Sequence, residues 1–445
     1  MVGFMKKMGI VMVALFFISA MGLSAEGAQE ETQAEESMQK TKTLRIEADS
    51  WILQKFPIEE AAQRFMSDHP EVDVQVSPKN YSNFVQTYLM VWKSGKTTTD
   101  LAIGGMPNEL SDLVAPGLLE DLSGILEGDL SEDKFLPGFL YSGRFADENN
   151  QPFFPVLPFM GEVMALNVNK KMYEKAGLTE GNGEPKAAED WDEFEQQLNA
   201  LQKVAPSNAL SVSWGWNFIT YSYASGLLAL RGDIYEEDGK TLDFSSDEAL
   251  EWLRMNYRWG KQNLAAKGTI SDVNYGRNNF KAETIAEIYT AHSRTIGAAN
   301  VIGEDATTVL PIPGANDNGT IAFSHCVYIP KVSPNKDLAK LFIKEQVFSK
   351  WFQQKGFNDF GKLPVIKEYY SGLAWFQDAA DRILRMAEKS QYFPKYVEGT
   401  KLRDLMMEEI HPVISGDREP EQALQNIRDK IEERELDLTR LGYSE

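Results

Sequence analysis

From Thr43 to Ile103 the apolar residues switch back and forth between two periods. Thr43-Leu-Arg-Ile-Glu-Ala48 alternates with period two, as a half-buried strand does. Ile58, Ala61, Ala62 and Phe65 then fall on one face of a helix that Pro57 opens and His69-Pro70 closes. Val72-Asp-Val-Gln-Val76 alternates again, Asn83 to Trp92 reads as a second helix, and Asp100-Leu-Ala-Ile103 as a third strand. A chain that alternates strands with helices from its first ordered residue is confined to the α/β class, with a largely parallel sheet.

The mixture continues downstream. The pattern predicts helices over Trp191 to Val204, capped near Asp190 with Glu193 three residues on, and over Ser246 to Gln262, where Leu250, Leu253 and Tyr257 keep helical spacing. Thr308-Val-Leu-Pro-Ile-Pro-Gly314 is a Pro-punctuated extended segment, Ile321 to Ile329 a strand, Asn335 to Phe352 a helix, and the chain beyond Ala374 mainly helical. Beyond the N-terminal apolar segment there is no internal repeat, heptad array or transmembrane run. A length of 445 residues makes two domains or lobes the natural expectation.

The N-terminus specifies a compartment. Lys6 and Lys7 precede the apolar run Gly9 to Met21, and the small residues Gly22, Ser24, Ala25, Gly27 and Ala28 follow, the layout of a secretory signal peptide over residues 1–28. The run is shorter than the roughly 20 residues that span a bilayer. A retained N-terminal anchor is the alternative, since neither Gly22-Leu-Ser24 nor Ala25-Glu-Gly27 is an ideal cleavage site. No Cys follows the run, so nothing marks a lipid-modified end, and the expected location is the periplasm. Residues 29–42 carry no aromatic residue and read as a disordered tether. Cys326 is the only cysteine, so no intramolecular disulfide can form, and its strand-like surroundings fit a buried small hydrophobe. The net charge of −21, more negative once Lys6 and Lys7 leave with the signal, argues against a nucleic-acid partner. It also disfavours a strongly anionic ligand such as a polyuronate, unless a local basic cleft overrides it.

A series of short segments then carries a resemblance. Ala61-Ala-Gln-Arg-Phe65 and His69-Pro-Glu-Val-Asp-Val74 are followed by Ser94-Gly-Lys-Thr-Thr-Thr-Asp-Leu101 and Gly117-Leu-Leu-Glu-Asp-Leu122. The central block is Phe154-Pro-Val-Leu-Pro-Phe159, Ala165-Leu-Asn-Val-Asn-Lys170, Tyr173-Glu-Lys-Ala-Gly-Leu178, Pro185 and Asp190-Trp-Asp-Glu-Phe194. Asp238-Gly-Lys240, Phe244-Ser-Ser246, Pro311-Ile-Pro-Gly314, Lys331-Val-Ser-Pro-Asn335 and Gly361-Lys-Leu-Pro364 complete it. In this order and spacing, over residues 43–430, the chain resembles the sugar- and oligosaccharide-binding extracellular solute-binding proteins of ABC importers, the maltose-binding-protein group. Thr99 departs from the family's usual Pro before the Asp. The resemblance implies a two-lobed, type II-like periplasmic-binding-protein fold. The ligand cleft lies between an N-terminal lobe of residues 43–157 plus 313–363 and a C-terminal lobe of 158–312 plus 364–445. The chain crosses between them near Val156-Leu157, Ile312 and Leu363-Pro364.

A sugar presents apolar C–H faces that stack on aromatic rings, and hydroxyls that need dense donors and acceptors, because an unpaired polar group out of water costs roughly 1–3 kcal/mol. Trp51 follows the first strand, where parallel sheets place ligands, and a core position is the alternative. Gly105, Met106 and Asn108 lie in a loop after the third strand that is expected to line the cleft; that loop lacks the Lys-Ser/Thr pair of a phosphate cradle. Phe159 to Glu162 enters the second lobe. Trp214, Trp216, Tyr221 and Tyr223 form the richest aromatic cluster, where the family usually supplies stacking residues; about half of such aromatics are ordinarily core. Tyr289, His292 and Arg294 stand where the family often has Gly and Trp. His292 and Arg294 are expected to supply polar contacts there, with Arg294 able to grip a carboxylate or phosphate, or else to form a surface salt bridge. His325 hydrogen-bonds ligand or serves structure, and Asp359 precedes the third crossing.

Catalytic patterns are absent: four His residues make no metal-binding spacing, there is no Gly-x-Ser-x-Gly elbow, and no calcium-loop pattern occurs. The chain is expected to be a cofactor-free monomer that captures a mono- or oligosaccharide by hinge closure and delivers it to an ABC permease. A glycoside hydrolase is the rival, since a carboxylate pair cannot be dismissed by counting. A binding protein for a non-sugar solute, such as a phosphorylated polyol or a peptide, is the other.

Overall fold

Strand β1 (Lys42–Asp49) buries alternate residues, and Lys42 already pairs with Val72 at its start, so the tether expected up to residue 42 ends before it. The computed structural model describes residues 41–79, 83–147, 149–370 and 377–442. The expected signal peptide, and the tether up to residue 40, lie outside the described residues. After β1 come the short helix Ser50–Lys55, the helix Ile58–Asp68 with Ile58, Ala61, Ala62 and Phe65 buried as its spacing requires, β2 (Val72–Lys79), the helix Phe84–Lys93 and β3 (Leu101–Ile103). A hairpin, β4 (Phe145–Ala146) and β5 (Pro152–Phe153), stands apart. The remaining strands are β6 (Leu157–Asn169), β7 (Asn208–Val212), β8 (Ile285–Ala291), β9 (Thr307–Leu310), β10 (Ile321–Tyr328) and β11 (Gln391–Tyr392).

The large sheet runs β2-β1-β3-β10-β6-β8-β7, with β11 on β10 and β9 on β6. It is parallel at β1–β2, β1–β3, β7–β8 and β10–β11; β10 is antiparallel to β3 and β6, and β6 to β8 and β9. The largely parallel sheet expected from the opening pattern is therefore a mixed one. β6 is the reason. Its first half pairs with β10 as far as Val163–Ala322, and its second half pairs with β8 and β9 from Met164 onward. One strand thus leaves one half of the molecule and another returns, in opposite directions. All thirteen residues of β6 are buried, so the strand has no alternating pattern for a periodicity search to find. Opposite Cys326 stands Pro158, which has no N–H to donate, and the register slips by one residue at this point, as bulges do near sites.

Two main hydrophobic cores result, consistent with a two-lobed fold. One joins Leu44, Ile46, Leu101 and Ile103 to Phe65, Phe342 and Phe352. The other joins Ala209 and Val212 to Leu198, Trp214, Trp252 and Trp259. The expected single helix from Asn335 to Phe352 is two: Lys336–Phe342 continues into a wider turn, and Ser349 caps a new helix, Lys350–Phe360, by accepting the Phe352 N–H at 3.2 Å. The helical tail is present as Gln377–Glu388, Gly399–Ser415 and Pro420–Glu433.

The helix Phe218–Arg231 packs on Asp247–Lys261 through Gly226, where an added Cβ would meet Trp252 Cε2 at 2.1 Å. Gly226→Ala is therefore expected to destabilise the protein by about 1–3 kcal/mol through overpacking, despite alanine's better helix propensity. Urea denaturation checks this: the midpoint should fall, and a rise would mean the indole has room to move.

Candidate ligand-binding cleft

The carboxyl ends of β1, β3, β7 and β8 converge on one cavity, the position parallel strands generally give to ligands. Trp51 and Lys55 come from the short helix after β1, Met106 from the loop after β3, Trp216 and Phe218 from the segment after β7, and Arg294 from the helix Arg294–Ile302 after β8. The crossing segments supply Glu162, His325 and Lys362. The cavity has two adjoining chambers of about 300 Å³ each, which share Lys55, Asn274, Arg277, Arg294 and Lys362.

The first chamber adds aromatic rings to the shared basic residues. Trp51 meets His325 edge-on with centroids 4.7 Å apart, and Phe218 meets Phe323 edge-on at 5.8 Å. Trp216 is 37% exposed, unusual for so large an apolar side chain here, and has a φ of 48°, a left-handed conformation that a bulky residue rarely adopts. Such strain persists where surroundings impose it, often at functional sites. The loop after β3 needs its glycines for another reason: a Cβ on Gly104 would lie 2.1 Å from Asp49 Oδ2, and the Gly105 N–H donates to that carboxylate at 3.2 Å.

The floor is an ion pair between Glu162, in the middle of β6, and Lys362, both buried. Ser293 donates a hydrogen bond to Glu162 as well. Burial opposes ionisation of Glu162, but Lys362 and then Arg294 overcome it and hold the carboxyl well below the usual carboxylate range. Behind this pair, His292 Nδ1 accepts the Val163 N–H at 3.1 Å, so its Nε2–H donates to the Gly361 carbonyl at 2.9 Å. Burial draws His292 down to about 4 and, with help from Lys362, draws His325 down to about 3, so both rings are neutral near pH 7.

The second chamber is basic. Lys55, Arg277, Lys281, Arg294 and Lys362 line it, with Asp359 as its carboxylate. Burial and then repulsion from Arg294 push Arg277 well below its ordinary value, and the same two causes lower Lys55.

Of the residues singled out from the sequence, Trp51, Met106, Glu162, Trp216, Arg294, His325 and Asp359 line the cavity. The others lie elsewhere. Gly105 is in the loop backbone. Asn108 accepts the Tyr221 hydroxyl at 3.1 Å at a small recess beside the cavity, and Tyr221 itself stacks on Phe323 at 4.7 Å. Phe159 packs in a core cluster with Phe56 and Phe352. Trp214 and Tyr289 pack around Trp252, and Tyr223 stacks on Phe244 and donates to the Asp243 carbonyl at 2.7 Å. His292 sits behind the floor. The buried Cys326 is a thiol whose pKa burial pushes up. Sequence reasoning missed Lys55, Arg277 and Lys281. Lys55 was the most accessible of them, since it stands one helical turn after Trp51 and so shares its face. Among the described residues no group of three or more metal-ligating side chains converges, and no helix is long and apolar enough to cross a membrane.

The family model described as bacterial extracellular solute-binding protein matches residues 54–348. Among solved structures, the GacH receptor of Streptomyces glaucescens, described unliganded and with acarbose, superposes with a TM-score of 0.74 at 17% identity, covering 88% of this chain and 98% of that one. Maltose-bound MalE3 of T. maritima gives 0.73 at 18% identity over 88% and 100%. Lmo0181 of Listeria monocytogenes, in complex with cycloalternan, gives 0.70 at 18% over 88% and 99%. No curated protein matches the sequence.

Lys362→Met would leave Glu162 buried without its cation and is expected to cost about 3–5 kcal/mol of stability. Adding Glu162→Gln should recover much of that in chemical denaturation; no recovery would mean the charges are not coupled. His292 supplies a pH dependence. Its folded-state pKa lies below its ordinary 6.5, so the unfolded chain takes up the proton first. The stabilisation is complete above about 6.5 and is lost as pH falls toward about 4. Melting temperatures should drop between pH 7 and 5, and the slope should be shallower in His292→Asn. An equal slope in the variant would place the acid sensitivity elsewhere.

Proposed function

We propose, for a chain that belongs to the bacterial extracellular solute-binding proteins, that the cleft captures a carbohydrate-like solute by closure of two lobes and delivers it to an ABC permease. Such a protein binds its solute and does not turn it over. The observation that carries the sugar reading is the composition of the first chamber. The rings of Trp51, Trp216 and Phe218 offer faces for apolar C–H surfaces, while Glu162, Asn217, Asn274 and His325 offer polar edges for hydroxyls. The buried Nδ1 of His325 has no partner within the protein, which suits it to a ligand hydroxyl. Proteins of the same fold are described with acarbose, maltose and cycloalternan, and that supports the assignment.

The closing motion follows from where the lining residues sit. Trp51 and Met106 belong to the segments around β1 and β3, and Trp216, Arg277 and Arg294 to those around β7 and β8. A ligand touching both sets binds a closed arrangement better than an open one and shifts the population toward it. Delivery to a permease from the periplasm, and a monomeric state, complete this reading, with the signal-like N-terminus as support.

Calorimetry of the purified protein against mono- and oligosaccharides tests it. Trp51→Ala and Trp216→Ala should each weaken binding of the best saccharide by about tenfold or more, as loss of an aromatic platform implies. The saccharide should be recovered intact. Cleavage products would sink the binding reading, and unchanged affinity in both variants would remove the aromatic chamber from the site.

A further inference from the structure

The protein as a whole is strongly acidic, yet its cleft gathers cations. Lys362 is taken by Glu162, and Asp359 is taken by Lys355 at 3.1 Å. Among the described residues, no carboxylate lies within salt-bridge reach of Lys55, Arg277, Lys281 or Arg294, which together line the second chamber. Arg277 is held by the Asn274 side chain, whose Oδ1 accepts from Nη1 at 3.2 Å, and by the Phe218 ring 5.0 Å from its guanidinium carbon. The Nε atoms of Arg277 and Arg294 are buried with no hydrogen-bond partner. Buried donors are ordinarily satisfied, and like charges in one chamber repel, so this arrangement is incomplete as it stands. A neutral hydroxyl could accept one of these hydrogen bonds but would leave the charge uncompensated. A carboxylate, phosphate or sulfate group supplies both the acceptors and the charge, and two guanidinium groups are suited to grip it.

The basic chamber also adjoins the aromatic one through shared residues. Lys55 lies one turn from Trp51 on the same short helix, so a ring stacked on Trp51 would place a substituent near Lys55. We infer that the solute is an acidic saccharide, whose ring occupies the aromatic chamber and whose anionic group sits among Lys55, Arg277, Lys281 and Arg294. This rests on the solute-capture reading and narrows its substrate class. The source of the anion, an uronic acid carboxylate, a phosphate ester or a sulfate ester, is distinguished by experiment.

Matched pairs in calorimetry provide the test: glucose against glucuronate, glucose 6-phosphate and glucose 6-sulfate; galactose against galacturonate; maltotriose against trigalacturonate; and inorganic phosphate and sulfate alone. At least one acidic saccharide should bind about 100-fold more tightly than its neutral counterpart, in the range that close charge pairs confer. Arg277→Gln and Arg294→Gln should each cut that preference at least tenfold, and Arg277→Lys should restore part of it. The thermal midpoint of Arg277→Gln without ligand should equal or exceed that of the parent, which separates lost recognition from lost folding. Neutral saccharides binding as tightly as their acidic partners would overturn the inference and leave the solute-capture reading intact. Inorganic anions binding as tightly as the acidic saccharide would also overturn it, because the ring would then contribute nothing. No saccharide binding at all would overturn both.

Discussion

The Glu162–Lys362 pair lies where the crossing segments of the chain meet, and much of the cleft is arranged around it. Glu162 sits on β6 beside the point where that strand changes partners, and Lys362 lies between Gly361 and Leu363; Leu363 exchanges two backbone hydrogen bonds with Gly161 at 2.9 Å. Ser293, at the start of the helix that carries Arg294, donates to Glu162. His292 ties Val163 to Gly361. Separate stretches of chain thus close on one buried charge pair. A buried pair is a poor source of stability compared with apolar packing, but breaking it is costly, so it disfavours any arrangement in which these segments separate.

The charge distribution follows a second logic. A net charge of −21 is a sum over the whole chain, and such a balance bears on solubility. It says little about a chamber in which a few cations face inward at short range, because exposed charges farther away than about 10 Å are largely screened in salt. The sequence-level expectation against an anionic ligand applied the total charge to a local site. The exception it allowed, a basic cleft, is what the fold builds.

The legibility of the sequence divides along the same line. Elements with one buried face could be read, as Ile58, Ala61, Ala62 and Phe65 show, because half-burial writes a period into the chain. β6 is buried along both faces and carries no period, and with it the antiparallel centre of the sheet was hidden. At the site, position relative to strand ends identified Trp51 and Met106. Within Trp214 to Tyr223 it could not separate Trp216, which a left-handed turn directs to the cavity, from Trp214 and Tyr223, which enter the core. Arg277 and Lys281 are single basic residues on a short helix, and nothing local distinguishes a cation that faces a cleft from one that faces water.

Arg294 connects the two halves of the site. Its charge helps keep Glu162 ionised, and it disfavours the charged forms of Lys55, Arg277 and Lys362. A ligand anion beside Arg294 would therefore act in two directions. It would relieve the repulsion among the cations of the basic chamber, and it would weaken the support that Arg294 gives to Glu162, leaving Lys362 to carry more of the floor. Because Lys55 belongs to the helix after β1, and Arg277 and Arg294 to the segments around β7 and β8, the anion would favour arrangements that bring these groups together. Binding and closure are then linked through the same few charges, without a separate signal between ligand and hinge.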